Sequence, residues 1–281
     1  MLFQPAIGLG GYGGWRILQA TLERQRETFD KAPSLQRNIE HFRENITTAA
    51  TAEALVNDRR LLTVALGAFG LGDEINKRAF IQKILEDGTE RGDAFANRLG
   101  DARFKALAEA FDYGNITNGS NILLSSFRED IIARYKALEF ERAVGDVDGD
   151  MRLALDFKRE ISEIANGNNA EQVGLIQAMG RLPVRTLLGT AFGLPDSVAQ
   201  LDIDRQLEIF RDKMRSLYGE SEITAFKDPK NVEDVIRRFF LFQQLKNGSS
   251  NIASPGATAL ALLQSNSLGG VAGANLLLSQ A

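Results

Sequence analysis

Four groups of residues in this chain have types and spacings that chemistry uses. The first, Gly8-x-Gly10-x-x-Gly13, satisfies the dinucleotide-binding pattern as a string. Those glycines bring a backbone turn against a pyrophosphate only between a strand and a helix, with an acidic residue at the end of the next strand. Seven residues precede the pattern here and no second strand follows, so a flexible leader is expected in place of a nucleotide site. The second group, Asp146-Val-Asp148-Gly-Asp150, opens like a calcium loop. An EF-hand needs glycine sixth and a bidentate glutamate twelfth, whereas Met151 and Phe157 stand there; an acidic turn between helices is expected.

The third is His41, the single histidine. One imidazole cannot build a histidine-rich metal site, and no nucleophile lies near it in sequence, so a helix-surface or interface role is expected. The fourth is Phe239, Phe240 and Phe242, aromatics of the kind on which bases stack. Their spacing on a strongly apolar helix predicts core packing. Carboxylates are plentiful, but they stand with basic residues at helix-surface spacings, as Glu23 does with Arg26, and no pair is marked out as acid and base. The expectation is therefore no catalytic residues, no cofactor-binding residues, no metal ligands and no cofactor.

Composition narrows the function classes further. Lys plus Arg number 33 against 37 Asp plus Glu, a net charge of -4, which argues against nucleic acid as a partner. The absence of cysteine removes disulfides, thiolate metal sites and thiol catalysis together. No apolar run approaches the roughly 18 residues of a membrane span, and the first basic residue is Arg16, so neither a membrane span nor a cleavable signal peptide is expected. The compartment expected from these features is the cytoplasm, or the outside of the cell by an export route that leaves the N-terminus uncleaved.

Helical periodicity organises the chain that carries these groups. Residues 1–14 hold five glycines and a proline, a composition that disfavours a helix interior by about 1 kcal/mol per glycine. A helix is expected over 15–30, and another after Pro33 on Leu35, Ile39, Phe42 and Ile46. Asp58 is a candidate N-cap for a stripe through Leu61, Leu62, Ala65, Ala68 and Phe69 that Gly70 closes. Helices are expected to open at Asp73 and after Asp101, to run over 122–144, and to continue on Ala154, Phe157, Ile161 and Ile164. Ile203, Leu207, Phe210, Met214 and Leu217 form a further seam. Asp228-Pro229 starts a last helix that should stop near Asn247 and Gly248. Strand-like alternation never persists, and after Gly248 no charged residue occurs.

Two segments recur. Phe42-Arg-Glu-Asn-Ile46 matches Phe157-Lys-Arg-Glu-Ile161, and residues 61–71 (LLTVALGAFGL) match 184–194 (VRTLLGTAFGL). The shared AFGL has a physical reading: a phenylalanine buried on the last turn, a glycine at positive φ, and a leucine folding back onto the helix end. A charged helix is expected after each, over 73–86 and 197–213. The spacings differ by eight residues, with the insertion placed at residues 166–169 (NGNN). The fold expected is all-α, two diverged copies of a multi-helix unit packed as a bundle or as two lobes. The divisions are a leader at 1–14, a first repeat with connecting helix at 15–145, a second repeat at 146–248, and a flexible apolar tail at 249–281.

Trp15 to Phe29, the Phe42–Ile46 stretch, the run from Asp58-Arg-Arg-Leu-Leu62 to Ala68-Phe-Gly-Leu71, and Phe95-Ala-Asn-Arg-Leu99 to Phe111 together resemble a domain-of-unknown-function family of alphaproteobacteria, over roughly residues 12–246. That resemblance implies duplicated helical proteins, often encoded among flagellar genes, with no established active site. The function it implies is a non-catalytic, flagellum-associated structural or assembly protein whose partners are flagellar proteins. The alternative is a cytosolic chaperone or export adaptor holding an amphipathic segment between its helices. An enzyme stands third, and would need a buried carboxylate cluster that the sequence does not single out.

Overall fold

A computed structural model describes residues 4–8, 10–115 and 120–249, and among these the chain forms thirteen α-helices and short 3-10 turns with no strand. The all-α expectation holds. Two compact units divide at Met1–Asp156 and Phe157–Ala281.

The first unit contains α1 (Gly11–Asp30), α2 (Pro33–Asn45), α3 (Ala52–Asn57), α4 (Arg59–Gly67), α5 (Arg78–Asp87), α6 (Phe95–Arg98), α7 (Ala102–Phe111) and α8 (Ser125–Gly145). α9 (Gly149–Ala165) runs through the division. Local chemistry explains several starts. Pro33 opens α2, where its missing N–H would have had no intrahelical partner. Asp58 opens α4 by accepting from the backbone N–H groups of Arg60 and Leu61 at 2.9 and 3.0 Å. Trp15, Phe42, Phe111 and Phe140 are fully buried at the centre of this unit, and α4 lies against α2, α3 and α8.

The second unit contains α10 (Ala170–Gly180), α11 (Leu182–Ala191), α12 (Ile203–Tyr218) and α13 (Pro229–Ser249). α11 and α13 pack along each other, with Val184, Leu187 and Leu188 of one and Val235, Ile236, Phe239 and Phe240 of the other all buried.

The structure departs from the sequence reading in several places. α1 starts at Gly11 and not at Trp15. Before it, Ala6 is held by the buried Gln25, whose Oε1 accepts from the Ala6 N–H at 2.9 Å, a contact that offsets part of the entropy Gly11, Gly13 and Gly14 lose in the helix. The helices expected after each AFGL begin later, α5 at Arg78 and α12 at Ile203, because a 3-10 turn comes first, Gly72–Glu74 in one unit and Asp196–Gln200 in the other. α8 likewise follows a 3-10 turn, Asn121–Leu123. The units part inside α9 and not at residue 145, since the start of α9 is packed against the end of α8: Arg152 fills the space beside Gly145. The tail expected at 249–281 lies, beyond Ser249, outside the described residues. No helix among the described residues is long and apolar enough to cross a membrane.

Candidate functional site

The two AFGL segments adopt the same geometry. Gly70 and Gly193 have φ of +68° and +65°. The N–H of Leu71 donates to Leu66 O at 2.8 Å, and that of Leu194 to Gly189 O at 2.9 Å. Each is the six-to-one bond that closes a helix with a left-handed glycine, and Phe69 and Phe192 are buried as expected.

Beyond that shared end the two helices diverge. Residues 182, 185, 186, 189 and 190 of α11 fall at the i, i+3, i+4, i+7, i+8 spacing of one helix face. With Leu194, Pro195, Asp196, Val198, Ala199, Gln206 and Phe210 they line a cleft of about 240 Å³. Its floor is low at Gly189, where a Cβ would lie 3.9 Å from the Phe210 ring. Of the α4 residues at the corresponding places, Leu62, Leu66 and Gly67 are buried, while Arg59 is exposed and Thr63 half-buried. A Cβ on Gly67 would come within 2.6 Å of the Tyr135 ring of α8, so the face is closed at this end. Exposed apolar side chains stand at the cleft: Leu182, 64% exposed, on its lining, and Phe242, 38% exposed, 3.1 Å from where a Cβ of Gly193 would be. Lys246 of α13 reaches Asp196 at 3.3 Å. The cleft is smaller than the ~300–1,000 Å³ typical of small-molecule sites, and mixes leucine, proline, valine and phenylalanine with Thr186, Thr190 and Gln206. Its chemistry suits a few apolar side chains of another segment.

The first unit holds a polar cavity of about 30 Å³, lined by Glu139, Glu141, Arg142, Arg152, Asp156 and Asp73 beside Gly67, Gly70 and Gly72. That is room for a few water molecules at most. Glu141 is buried, and Arg142 donates to Glu139 at 2.9 Å. The negative charge of Glu139 raises the Arg142 pKa above its ordinary value, more than burial lowers it, with the Glu139 hydrogen bond, Asp146 and Asp73 adding to the rise. This is an ion network without room for a substrate.

The groups singled out by sequence are dispersed. Gly10 is the N-cap of α1 and Gly13 lies inside it, and no strand precedes them among the described residues. Asp146 caps the end of α8, and Asp148 opens α9 by accepting from the Met151 N–H at 3.0 Å, so the acidic run is the turn between helices. Among the described residues no group of three or more His, Asp or Glu is placed to hold a metal. His41 is not merely a surface residue: its Nε2 donates to Asp58 Oδ2 at 2.7 Å, tying α2 to the N-cap of α4. Partial burial pushes the Asp58 carboxyl up, but the bonds from His41, Leu61 and Arg60 outweigh it and hold the group below the usual carboxylate range. Phe239 and Phe240 are core residues, while Phe242 is the exception, exposed above Gly193. The cleft itself escaped the sequence reading, although the loss of two leucines, at residues 185 and 189, between the matched segments was its signal.

A search of curated proteins finds no match. Among solved structures, the X-ray crystal structure of a protein from Agrobacterium tumefaciens is similar, with a TM-score of 0.67 and 26% identity over 84% of this chain and 94% of that one. A family model described as "Protein of unknown function (DUF1217)" matches residues 68–232, from the first AFGL to the start of α13. With more than half of its length matched, the chain belongs to the DUF1217 family of proteins of unknown function.

Proposed function

We propose that this protein is a non-catalytic structural or assembly component of the bacterial flagellum, built from two diverged copies of one helical unit and acting through protein-protein contacts. The observation that carries the contact reading is the α11 cleft, open and largely apolar, with Leu182 and Phe242 exposed at it. Hydrophobic surface of that kind, set on rigid helices, marks interaction sites. The duplication is supported by the matching helix ends at Gly70 and Gly193 and by the 3-10 turn that follows each. The flagellar assignment rests on the resemblance drawn from the sequence.

The same cleft favours one other reading, a cytosolic chaperone or export adaptor, since a helix-lined groove also takes an amphipathic segment of a client. Tagged full-length protein is purified from motile cells beside a Gly189→Leu form whose cleft is filled. Filament, hook or basal-body proteins recovered with the first and lost with the second are the expected result. Soluble export clients recovered in their place would replace the structural reading with the adaptor, and recovery of neither class would overturn both.

A further inference from the structure

We propose that the α11 cleft is the docking site of this chain's own C-terminal segment, residues 250–281, and that Leu260, Leu262 and Leu263 are the side chains that fill it. The inference rests on reading the cleft as a contact surface, and not on the flagellar assignment.

Three observations point to this occupant. α13 delivers the chain to the cleft: Lys246 binds Asp196 of the cleft wall, and Phe242 lies over Gly193, next to Leu194 of the lining. From Ser249 to Leu260 is eleven residues, an extended reach of about 36 Å, so the leucines are within easy range. The second observation is chemical. Residues 250–281 contain no Asp, Glu, Lys or Arg, so no charge would be stripped of water against Leu194, Pro195, Val198 and Phe210. Leucines with alanine, threonine and glutamine nearby match walls of leucine, proline and phenylalanine that also carry Thr186, Thr190 and the buried Gln206, with Arg185 and Asp196 the charged residues of the lining. The third is the first unit, where the matching helix face is filled by its own Leu62 and Leu66 and closed by Tyr135. The second unit has Arg185 and Gly189 at those places, so its face has no filler of its own. Tethering supplies an effective concentration in the millimolar range, enough for weak apolar contacts to be populated.

The lack of cysteine in this protein makes the test clean. Thr190→Cys is combined with Ala261→Cys, which leaves all three leucines in place, and separately with Ala274→Cys as a control. The purified full chains are oxidised mildly and resolved by non-reducing gel and mass spectrometry. An intrachain disulfide at 190–261 forming on the order of tenfold faster than at 190–274 is expected, with Gly189→Leu reducing it to the control rate. A bond between chains would assign the cleft to a second copy and overturn the proposal, as would equal rates for both pairs. Hydrogen exchange supplies a second readout that needs no cysteine: amides within 182–210 should exchange faster in a chain ending at Ser249 than in the full chain, and equal exchange would overturn the docking. Neither measurement involves a flagellar protein: failure of the docking leaves the cleft open to the partner of the proposed function, and success means that such a partner must displace the tail.

Discussion

α4 and α11 end in the same four residues with the same backbone geometry, yet one is sealed into its unit and the other borders an open cleft. The differences that decide this lie on one helix face. Leu62, Leu66 and Gly67 on α4 become Arg185, Gly189 and Thr190 on α11. On α4 the two leucines supply buried apolar surface, and the glycine lets α8 approach until Tyr135 touches the backbone. On α11 a longer charged side chain, a missing side chain and a small hydroxyl leave space. The helix end is thus a property of AFGL alone, whereas closure of the face depends on residues one and two turns before it. Local backbone chemistry and closure of the face are set by different residues of a single short segment.

The comparison is most easily broken by giving α4 the residue of α11. Leu66→Gly removes a fully buried side chain and adds a helix glycine, at a combined cost of roughly 3–6 kcal/mol. Trp15, the single tryptophan and buried in the first unit, should report this as an earlier fluorescence transition in urea. The next largest effect is expected from Gly67→Thr. A Cβ there would stand 2.6 Å from the Tyr135 ring, so the ring must shift, costing about 1–3 kcal/mol. Tyr135→Leu should absorb part of that cost in a double-mutant cycle. If Gly67→Thr were neutral, closure of the α4 face by α8 would not be what separates the two helices.

A smaller effect sharpens the shared part. Gly70→Ala and Gly193→Ala each place a Cβ on a left-handed residue, a penalty of about 1–2 kcal/mol. The space around them differs: the nearest atom to a Cβ at Gly70 is 3.7 Å away, on Arg103, but at Gly193 the Phe242 ring is at 3.1 Å. Gly193→Ala should therefore be the costlier change by circular dichroism, and Phe242→Ala should bring the two costs together. Equal costs in the wild-type background would mean that Phe242 yields freely.

Much of the fold was legible because it was written locally. Asp58, Asp101 and Pro33 opened helices where a capping carboxylate or a proline was read, and AFGL closed two. α3, α6 and α10 were missed for two physical reasons. The first two have six and four residues, too short to show a period. α10 carries Gly174 and Gly180 and has no clean apolar face, and it exists through packing, with Ile223 so close that a Cβ on Gly174 would lie 2.4 Å from it. The candidate site was legible only as a difference. Each matched segment alone reads as an ordinary helix, and the cleft follows from what one lacks relative to the other. The pairing of His41 with Asp58 spans 17 residues and two helices, and no spacing rule reaches it.

The same pair gives the smallest predicted effect and the one that separates the helix starts. α4 opens on Asp58 with a side-chain cap, while the matching residue before α11 is Arg181, which makes no side-chain cap and is followed by Pro183. Asp58 is held below the usual carboxylate range in the folded protein. The stability it confers is therefore fully present above its unfolded value, near pH ~3.9, and is lost as pH falls through the lower folded value. Asp58→Ala should cost about 0.5–2 kcal/mol at pH 7. Asp58→Asn keeps a good capping side chain but cannot ionise, so its stability at pH 7 should fall by less, and the gap between it and wild type should narrow below about pH 4. Trp15 fluorescence in urea at pH 7 and pH 3 measures both. A gap that widened on acidification would show that the carboxylate is not held by its partners, and would remove the proposed distinction between a helix start set by charge and one set by proline.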